Sequence, residues 1–336
     1  MTMPTRQRSA ARHATTEPPA IVADALVKRY GDVTALDGLS FTVPTGTVFG
    51  LLGPNGAGKS TAIKILTTLS RPTSGSATVA GIDVLRDPGA VRRAIGVVTQ
   101  RVGADPFATG RENLLLAGRL SGMRGREVKS RADELLDRFG LTDAANRLAK
   151  QYSGGMQRKL DVAMGLVHRP AVLFLDEPTT GLDPQARADM WAEIAGLAAR
   201  ERVTVLLTTH YLEEADQLAD DLLIVDRGKL VAQGSPDELK SQLRGDAVVV
   251  ELSADADLPA ARAELERLGG TRDITVEGRS VRARADNGAS AVPAVLAALE
   301  RISVPVAAVT VARPSLEDVY LRHAGRTFAA AEEVLV

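Results

Sequence analysis

The sequence predicts an α/β protein built on a parallel sheet, followed by a small α+β domain. Three observations carry this. The run Ala171-Val172-Leu173-Phe174-Leu175 is apolar at every position, the pattern of a strand buried on both faces in a helix-covered parallel sheet. A second apolar run, Phe49-Gly50-Leu51-Leu52, stops at a glycine-rich loop that leads into a helical stretch. After Gly245 the pattern reads strand, helix, strand, strand, helix, strand, the order of a ferredoxin-like unit.

Taken along the chain, residues 1–20 are expected to form a disordered leader: Arg6, Arg8 and Arg12 stand among Ala, Thr and Pro with no apolar core, which excludes a secretory signal. Short strands fill 21–50. A helix is expected over Lys59–Leu69 and a strand over Ala94–Thr99. The pairing of Thr109 with Glu112 is a capping box ahead of Leu114-Leu115-Leu116. A helix over Arg126–Phe139 follows, and another over Gln157–His168. Asp183-Pro184 opens a further helix, with Pro in its first turn. Val205–Thr209 and Asp221–Val225 read as strands. Ser235-Pro236-Asp237-Glu238 is a complete capping box. In the C-terminal part, strands are expected at Val248–Leu252, Ile274–Glu277, Val281–Arg284 and Val306–Val311. Helices are expected at Pro259–Leu268 and Ala291–Ile302, then a last one at Ser315–His323. The cap of that last helix, Ser315-Leu316-Glu317-Asp318, places Asp where the longer Glu or Gln is usual.

Bulk properties bound the function. At 336 residues the chain can hold two domains with real cores. The 41 basic and 42 acidic residues leave a net charge of −1, which gives no electrostatic reason to expect nucleic acid. With no cysteine and only 4 His, disulfides, thiol catalysis and zinc-cysteine sites are excluded. No apolar run approaches the roughly 18 residues of a membrane span.

The chemistry sits in two motifs. Gly53-Pro54-Asn55-Gly56-Ala57-Gly58-Lys59-Ser60-Thr61 fits G-x-x-x-x-G-K-[ST]. Its glycines let backbone N–H groups converge on phosphate oxygens at a helix N-terminus. Lys59 then reaches the outer phosphates, and the Ser60 hydroxyl binds Mg²⁺. Asp176-Glu177 ends the apolar strand, where open α/β sheets bind ligands. Adjacent acids there suit metal coordination by Asp176 and water activation by Glu177. A glycine-rich turn or a solvated acidic turn is the bland alternative for each alone. Together they favour a nucleotide site.

Tyr152-Ser153-Gly154-Gly155-Met156-Gln157 resembles the L-S-G-G-Q signature of ABC ATPases, and the resemblance covers about residues 21–245. It implies a P-loop NTPase fold with a parallel core sheet, an antiparallel β subdomain and a helical subdomain at about 101–152. It implies Mg-ATP as ligand, Tyr30 stacking on adenine, Gln100 contacting the metal or the lytic water, and Asp183 in the D-loop. His210 would contact the γ-phosphate as the switch histidine. Ser153, Gly154 and Gly155 would face the ATP held by a second protomer, in a head-to-tail homodimer. Two positions depart from the pattern: Tyr152 replaces Leu and Met156 replaces the final Gln. Taken alone, Tyr30, Gln100 and His210 would read as packing or capping residues.

The segment Leu316-Glu317-Asp318-Val319-Tyr320-Leu321, with the ferredoxin-like domain expected at 246–325 and a tail at 326–336, resembles the ATP-binding subunits of daunorubicin-resistance-type exporters. That resemblance implies a separate ABC-2-type permease, whose coupling helix the helical subdomain would receive. It also implies a place on the cytoplasmic face of a bacterial membrane, and lipophilic drugs, antibiotics or lipids as cargo. The alternatives are a non-transport ABC ATPase, against which stand the single cassette and the neutral charge balance, and a module that holds ATP without turnover, against which stand Glu177 and His210. The small domain is expected to brace the dimer or its membrane partner, or else to sense a small molecule.

Overall fold

A computed structural model describes residues 17–254 and 256–333. Most of the expected leader, residues 1–16, lies outside the described residues, as do 334–336 of the expected tail. Residues 17–20 are already held: Thr45 Oγ1 donates to the Pro18 carbonyl, and the Ala20 amide bonds the Val43 carbonyl at 2.9 Å. Contacts divide the chain into two compact units. One comprises residues up to Leu51, Ala57–Thr209 and Arg227–Lys229; the other comprises Leu52–Gly56, His210–Asp226 and residues from Leu230 onward.

In the first unit an antiparallel sheet runs in the order Val33–Val43, Ile21–Tyr30, Ser74–Val79, Ile82–Asp83. The last two strands were not legible, because S-G-S-A-T-V lacks apolar density. Beside it is a parallel array. Ile95–Val98 pairs with Val172–Asp176, and that strand pairs with Thr204–Thr209, with Asp176 opposite Thr208. The four residues Val172–Leu175 are wholly buried, as an all-apolar run requires. The helical part holds Gly110–Leu120, Gly125–Arg138 and two short 3₁₀ turns, followed by helix Gly154–Leu166. The Thr109–Glu112 box forms in both directions. Helix Gly154–Leu166 starts three residues earlier than expected, because Ser153 caps it by accepting from the Met156 amide. That cap outweighs the poor helix propensity of two glycines. Asp87-Pro88 starts an unanticipated helix, Pro88–Ala94.

In the second unit, helix Leu212–Leu218, strand Asp221–Asp226 and the Ser235-capped helix Pro236–Ser241 precede a four-stranded antiparallel sheet. Its order is Thr271–Glu277, Ser280–Ala285, Asp246–Leu252, Val306–Ala312. With helices Leu258–Arg267 and Gly288–Arg301 this is the ferredoxin-like arrangement, and Val248, Val250, Leu265, Val281, Val295 and Leu299 form its core. Helix Leu316–Ala324 packs elsewhere. Its Leu316, Val319 and Tyr320 join Ala215, Leu222, Ile224 and Leu239 in a separate apolar cluster. The expected tail is also folded where described: Phe328–Glu333 is helical, and the Phe328 ring meets Tyr320 edge-on at 5.0 Å. Arg326 grips both oxygens of Asp226 at 2.9 and 3.0 Å. Burial and the neighbouring Asp226 push the Tyr320 phenol up to about 12.

Asp318 anchors the last helix. Its carboxylate accepts from the Ser315 amide at 2.9 Å, so the shorter Asp does close the capping box. The same carboxylate is buried against Arg284 at 3.1 Å and also pairs with Arg282.

Candidate nucleotide site

The glycine-rich loop leaves strand Val48–Leu52 and enters helix Lys59–Leu66 through Gly58, whose φ of +107° only glycine adopts readily. A Cβ there would lie 2.5 Å from the Ala35 carbonyl oxygen, so space as well as torsion demands glycine. Gly56 is also left-handed, at φ +71°. The helix begins with Lys59 and Ser60, with Thr61 behind them, which puts an ammonium and a hydroxyl at the positive end of the helix dipole. Gly53, Pro54 and Ala57 are buried, whereas Asn55 and Gly56 are exposed.

The acidic strand delivers its carboxylates to the same place. The buried Lys59 ammonium lies 3.7 Å from Glu177 Oε1. Glu177 Oε2 accepts from the Gln100 amide at 3.2 Å and from the Thr180 hydroxyl at 3.3 Å. Ser60 Oγ stands 3.4 Å from Asp176 Oδ1. The structure therefore gathers Lys59, Ser60, Gln100, Asp176 and Glu177, which come from three separate stretches of sequence.

Two residues that the sequence reading missed hold this group. Thr208 donates to Asp176 Oδ1 at 2.6 Å and accepts from the Glu177 amide at 3.0 Å; parallel pairing of the two strands puts it there. A Thr in a strand that also holds Thr204 and Thr209 carries no pattern that would have flagged it. The second is Arg158, four residues into the signature helix and buried. Its guanidinium donates to the carbonyls of Thr99 (2.6 Å), Asp176 (3.2 Å), Glu177 (3.3 Å) and Pro178 (2.7 Å). Glu177 itself has φ +49°, a left-handed conformation unusual for a non-glycine residue.

The remaining expected residues make local contacts of their own. Tyr30 ends its strand half exposed, with the Lys28 ammonium 4.8 Å from its ring. Ser153 and Gly154 are exposed at a helix N-terminus, while a Cβ on Gly155 would sit 3.1 Å from Ala186. Asp183 caps helix Pro184–Glu201 by accepting from the Ala186 amide at 2.9 Å. His210 directly follows the strand that carries Thr208, and its ring lies 4.1 Å from that of Tyr211. The departure at Tyr152 has a structural answer. The side chain is buried, its hydroxyl donates to the Ala144 carbonyl at 2.8 Å, and a Cβ on Gly110 would lie 2.1 Å from the Tyr152 hydroxyl oxygen. The larger aromatic is accommodated because its neighbour is glycine.

A cationic helix start, paired carboxylates and an amide converging at strand ends can bind a polyphosphate, hold a hard cation through Ser60 and Asp176, and orient water at Glu177. Comparison with known proteins agrees with this chemistry. A family profile described as "ABC transporter" matches residues 36–180, and one described as "ATP-binding protein DrrA1-3-like, C-terminal domain" matches 234–324. Among solved structures, cbiO1 from Clostridium perfringens, part of the ABC transporter complex cbiONQ, is similar with a TM-score of 0.63 at 26% identity, covering 67% of this chain and 92% of that one. A dimeric ATP-binding cassette in a post-hydrolysis state bound to ADP and Pi is similar with a TM-score of 0.58 at 26% identity, over 64% and 98%. Fold and site thus define a nucleotide-binding ATPase of the ABC transporter class.

Relatives extend the likeness along the chain. The daunorubicin resistance ATP-binding protein DrrA3 of Streptomyces coeruleorubidus is 47% identical over 91% of this chain and 96% of its own length. The linearmycin resistance ATP-binding protein LnrL of Bacillus subtilis (strain 168) is 34% identical over 91% and 98%. The chain belongs to the daunorubicin-resistance-type family of ABC transporter ATP-binding subunits.

Proposed function

We propose that the chain hydrolyses ATP to power an exporter of lipophilic drugs, antibiotics or lipids, working as a head-to-tail homodimer on a separate ABC-2-type permease at the cytoplasmic face of a bacterial membrane. The observation that carries this is the Lys59–Glu177–Gln100 contact beside the Ser60–Asp176 pair. Residues 21–245 serve as the ATP-binding domain, with the helical part at about 101–152 docking the permease, and 246–325 serve as the bracing domain. No helix among the described residues is long and apolar enough to cross a membrane, which fits a subunit that borrows its membrane path.

In this reading Gly53–Thr61 cradles the phosphates and Lys59 neutralises the outer ones. Ser60 and Asp176 would hold Mg²⁺, with Gln100 beside them. Two oxygen donors are what this ion takes from a protein, with water and phosphate completing its shell, and its charge would offset that of the phosphates. Glu177 takes the proton of the attacking water, and His210 contacts the γ-phosphate. Tyr30 stacks on adenine. The exposed Ser153 and Gly154 and the half-buried Gly155 grip the nucleotide of the second protomer, with Asp183 alongside. Loss of the γ-phosphate removes those cross-protomer contacts and lets the halves part.

The test is Glu177→Gln in the full-length protein. Hydrolysis of Mg-ATP should fall by about 10²–10⁴-fold, the usual weight of a general base, while nucleotide binding persists. A variant that hydrolyses at the wild-type rate rules Glu177 out as the base. Affinity capture from detergent-solubilised membranes should recover a multi-spanning protein in stoichiometric amount; recovery of soluble partners alone would sink the transport reading.

A further inference from the structure

We infer that Arg158 is a positioning residue for hydrolysis: its guanidinium, seated among the carbonyls of Thr99, Asp176, Glu177 and Pro178, keeps the Glu177 carboxylate and the Gln100 amide in contact. The inference rests on the ATPase reading above and assigns a role to a residue outside the phosphate loop and the acidic pair.

The acidic strand ends at Asp176, so the carbonyls of 177 and 178 lie beyond the strand, in residues that are half or fully buried. Buried acceptors need donors, and a single planar guanidinium offers five in a fixed fork. Arg158 meets the three consecutive carbonyls of 176–178, including that of Glu177 in its left-handed conformation. Such a conformation persists where surrounding bonds over-determine it. The fourth carbonyl, Thr99, immediately precedes Gln100. One side chain therefore fixes the backbone on both sides of the 3.2 Å contact between Gln100 and Glu177.

A neighbour one turn along extends the grip. Asp161 is buried, its Oδ1 accepts from the Gly103 and Ala104 amides at 3.0 and 3.1 Å, and its Oδ2 lies 3.8 Å from the Arg158 guanidinium. Burial raises its pKa, against the opposing pull of those amides and of Arg158. The base of this arrangement is stiff. Farther along the helix, Gly165 approaches Gly96 so closely that a Cβ on Gly96 would lie 2.1 Å from the Gly165 carbonyl oxygen. Arg158 projects from a helix that is itself locked to the strand leading to Gln100.

The experiment measures kcat and KM for Mg-ATP in full-length wild type, Arg158→Lys, Arg158→Met, Glu177→Gln and the double variant Arg158→Met/Glu177→Gln. Arg158→Met should lower kcat by about 10- to 100-fold, the scale of a displacement near 1 Å at a reacting group, with KM within about threefold of wild type. Arg158→Lys, which keeps the charge but reaches fewer carbonyls, should fall between. In the Glu177→Gln background the Arg158→Met change should add nothing further. Wild-type kcat in Arg158→Met overturns the inference, as do multiplying losses in the double variant, which mark a purely structural residue. Should Arg158→Met not fold, the Arg158→Lys kinetics decide: kcat equal to wild type overturns the inference. A wild type without ATPase activity would instead refute the ATPase reading on which the inference rests.

Discussion

Removing the Asp318 carboxylate should loosen the last helix far more than a surface acid would. Asp318 is 4% exposed and Arg284 5%, so the pair is buried. In Asp318→Ala the Arg284 guanidinium would keep the Gly245 carbonyl at 3.2 Å but lose its counter-ion. Breaking a buried pair from one side costs about 3–5 kcal/mol, and loss of the capping contacts to Ser315 adds about 1 kcal/mol. Arg282 is more exposed and is discounted for solvent screening. A combined shift of about 4–6 kcal/mol in a local opening equilibrium is roughly 10³- to 10⁴-fold. The assay is native-state amide hydrogen exchange, followed in the peptide covering Leu316–Ala324. Protection there should fall by about that factor, while peptides of the strand Val172–Asp176 keep theirs. The double variant Arg284→Met/Asp318→Leu should recover all but the capping part, because apolar replacement of a buried pair is close to neutral. Exchange within tenfold of wild type in Asp318→Ala would refute the argument that this carboxylate is a buried anchor.

Two further outcomes follow from packing and burial. Gly110→Ala should destabilise the helical part by about 1–3 kcal/mol, the range for overpacking, because its Cβ would meet the Tyr152 hydroxyl; adding Tyr152→Leu should restore part of the loss in thermal melting, and no rescue would show that the clash is elsewhere. Burial holds His168 below its ordinary imidazole value, opposed in part by its 2.9 Å bond with the Ile95 carbonyl. The unfolded chain therefore takes up a proton at higher pH than the folded one, so stability is lost as pH falls from about 6.5 through the depressed folded value. The melting temperature of wild type should drop more between pH 7 and pH 5 than that of His168→Gln, and parallel curves would sink this.

The sequence was most readable where one local rule decides the structure. The capping boxes at Thr109 and Ser235 and the apolar strand 172–175 all formed in place. It was least readable where the deciding partner lies far along the chain. Thr208 and Arg158 look like ordinary polar residues in a strand and a helix, and only strand pairing and helix packing turn them toward Asp176 and Glu177. Helix Leu212–Leu218 was hidden by its acidic composition, although Ala215 and Leu218 are buried. The apolar face of the last helix joins the cluster around Tyr320 while its capping carboxylate turns to Arg282 and Arg284. Periodicity shows that a helix has two faces, but not what each face meets.

The crossing of Gly96 and Gly165 gives the signature helix a fulcrum. At 1.5 Å per residue, Ser153 stands about 18 Å from that crossing and Arg158 about 10 Å. A tilt of roughly 5° about it moves Ser153 by about 1.6 Å and Arg158 by about 0.9 Å in the same sense. Any displacement of the exposed end of the helix is thereby geared down, by a little under half, before it reaches the carbonyls around Glu177. A bulkier residue at position 96 or 165 would lift the lever off its pivot and change the gearing without touching either end.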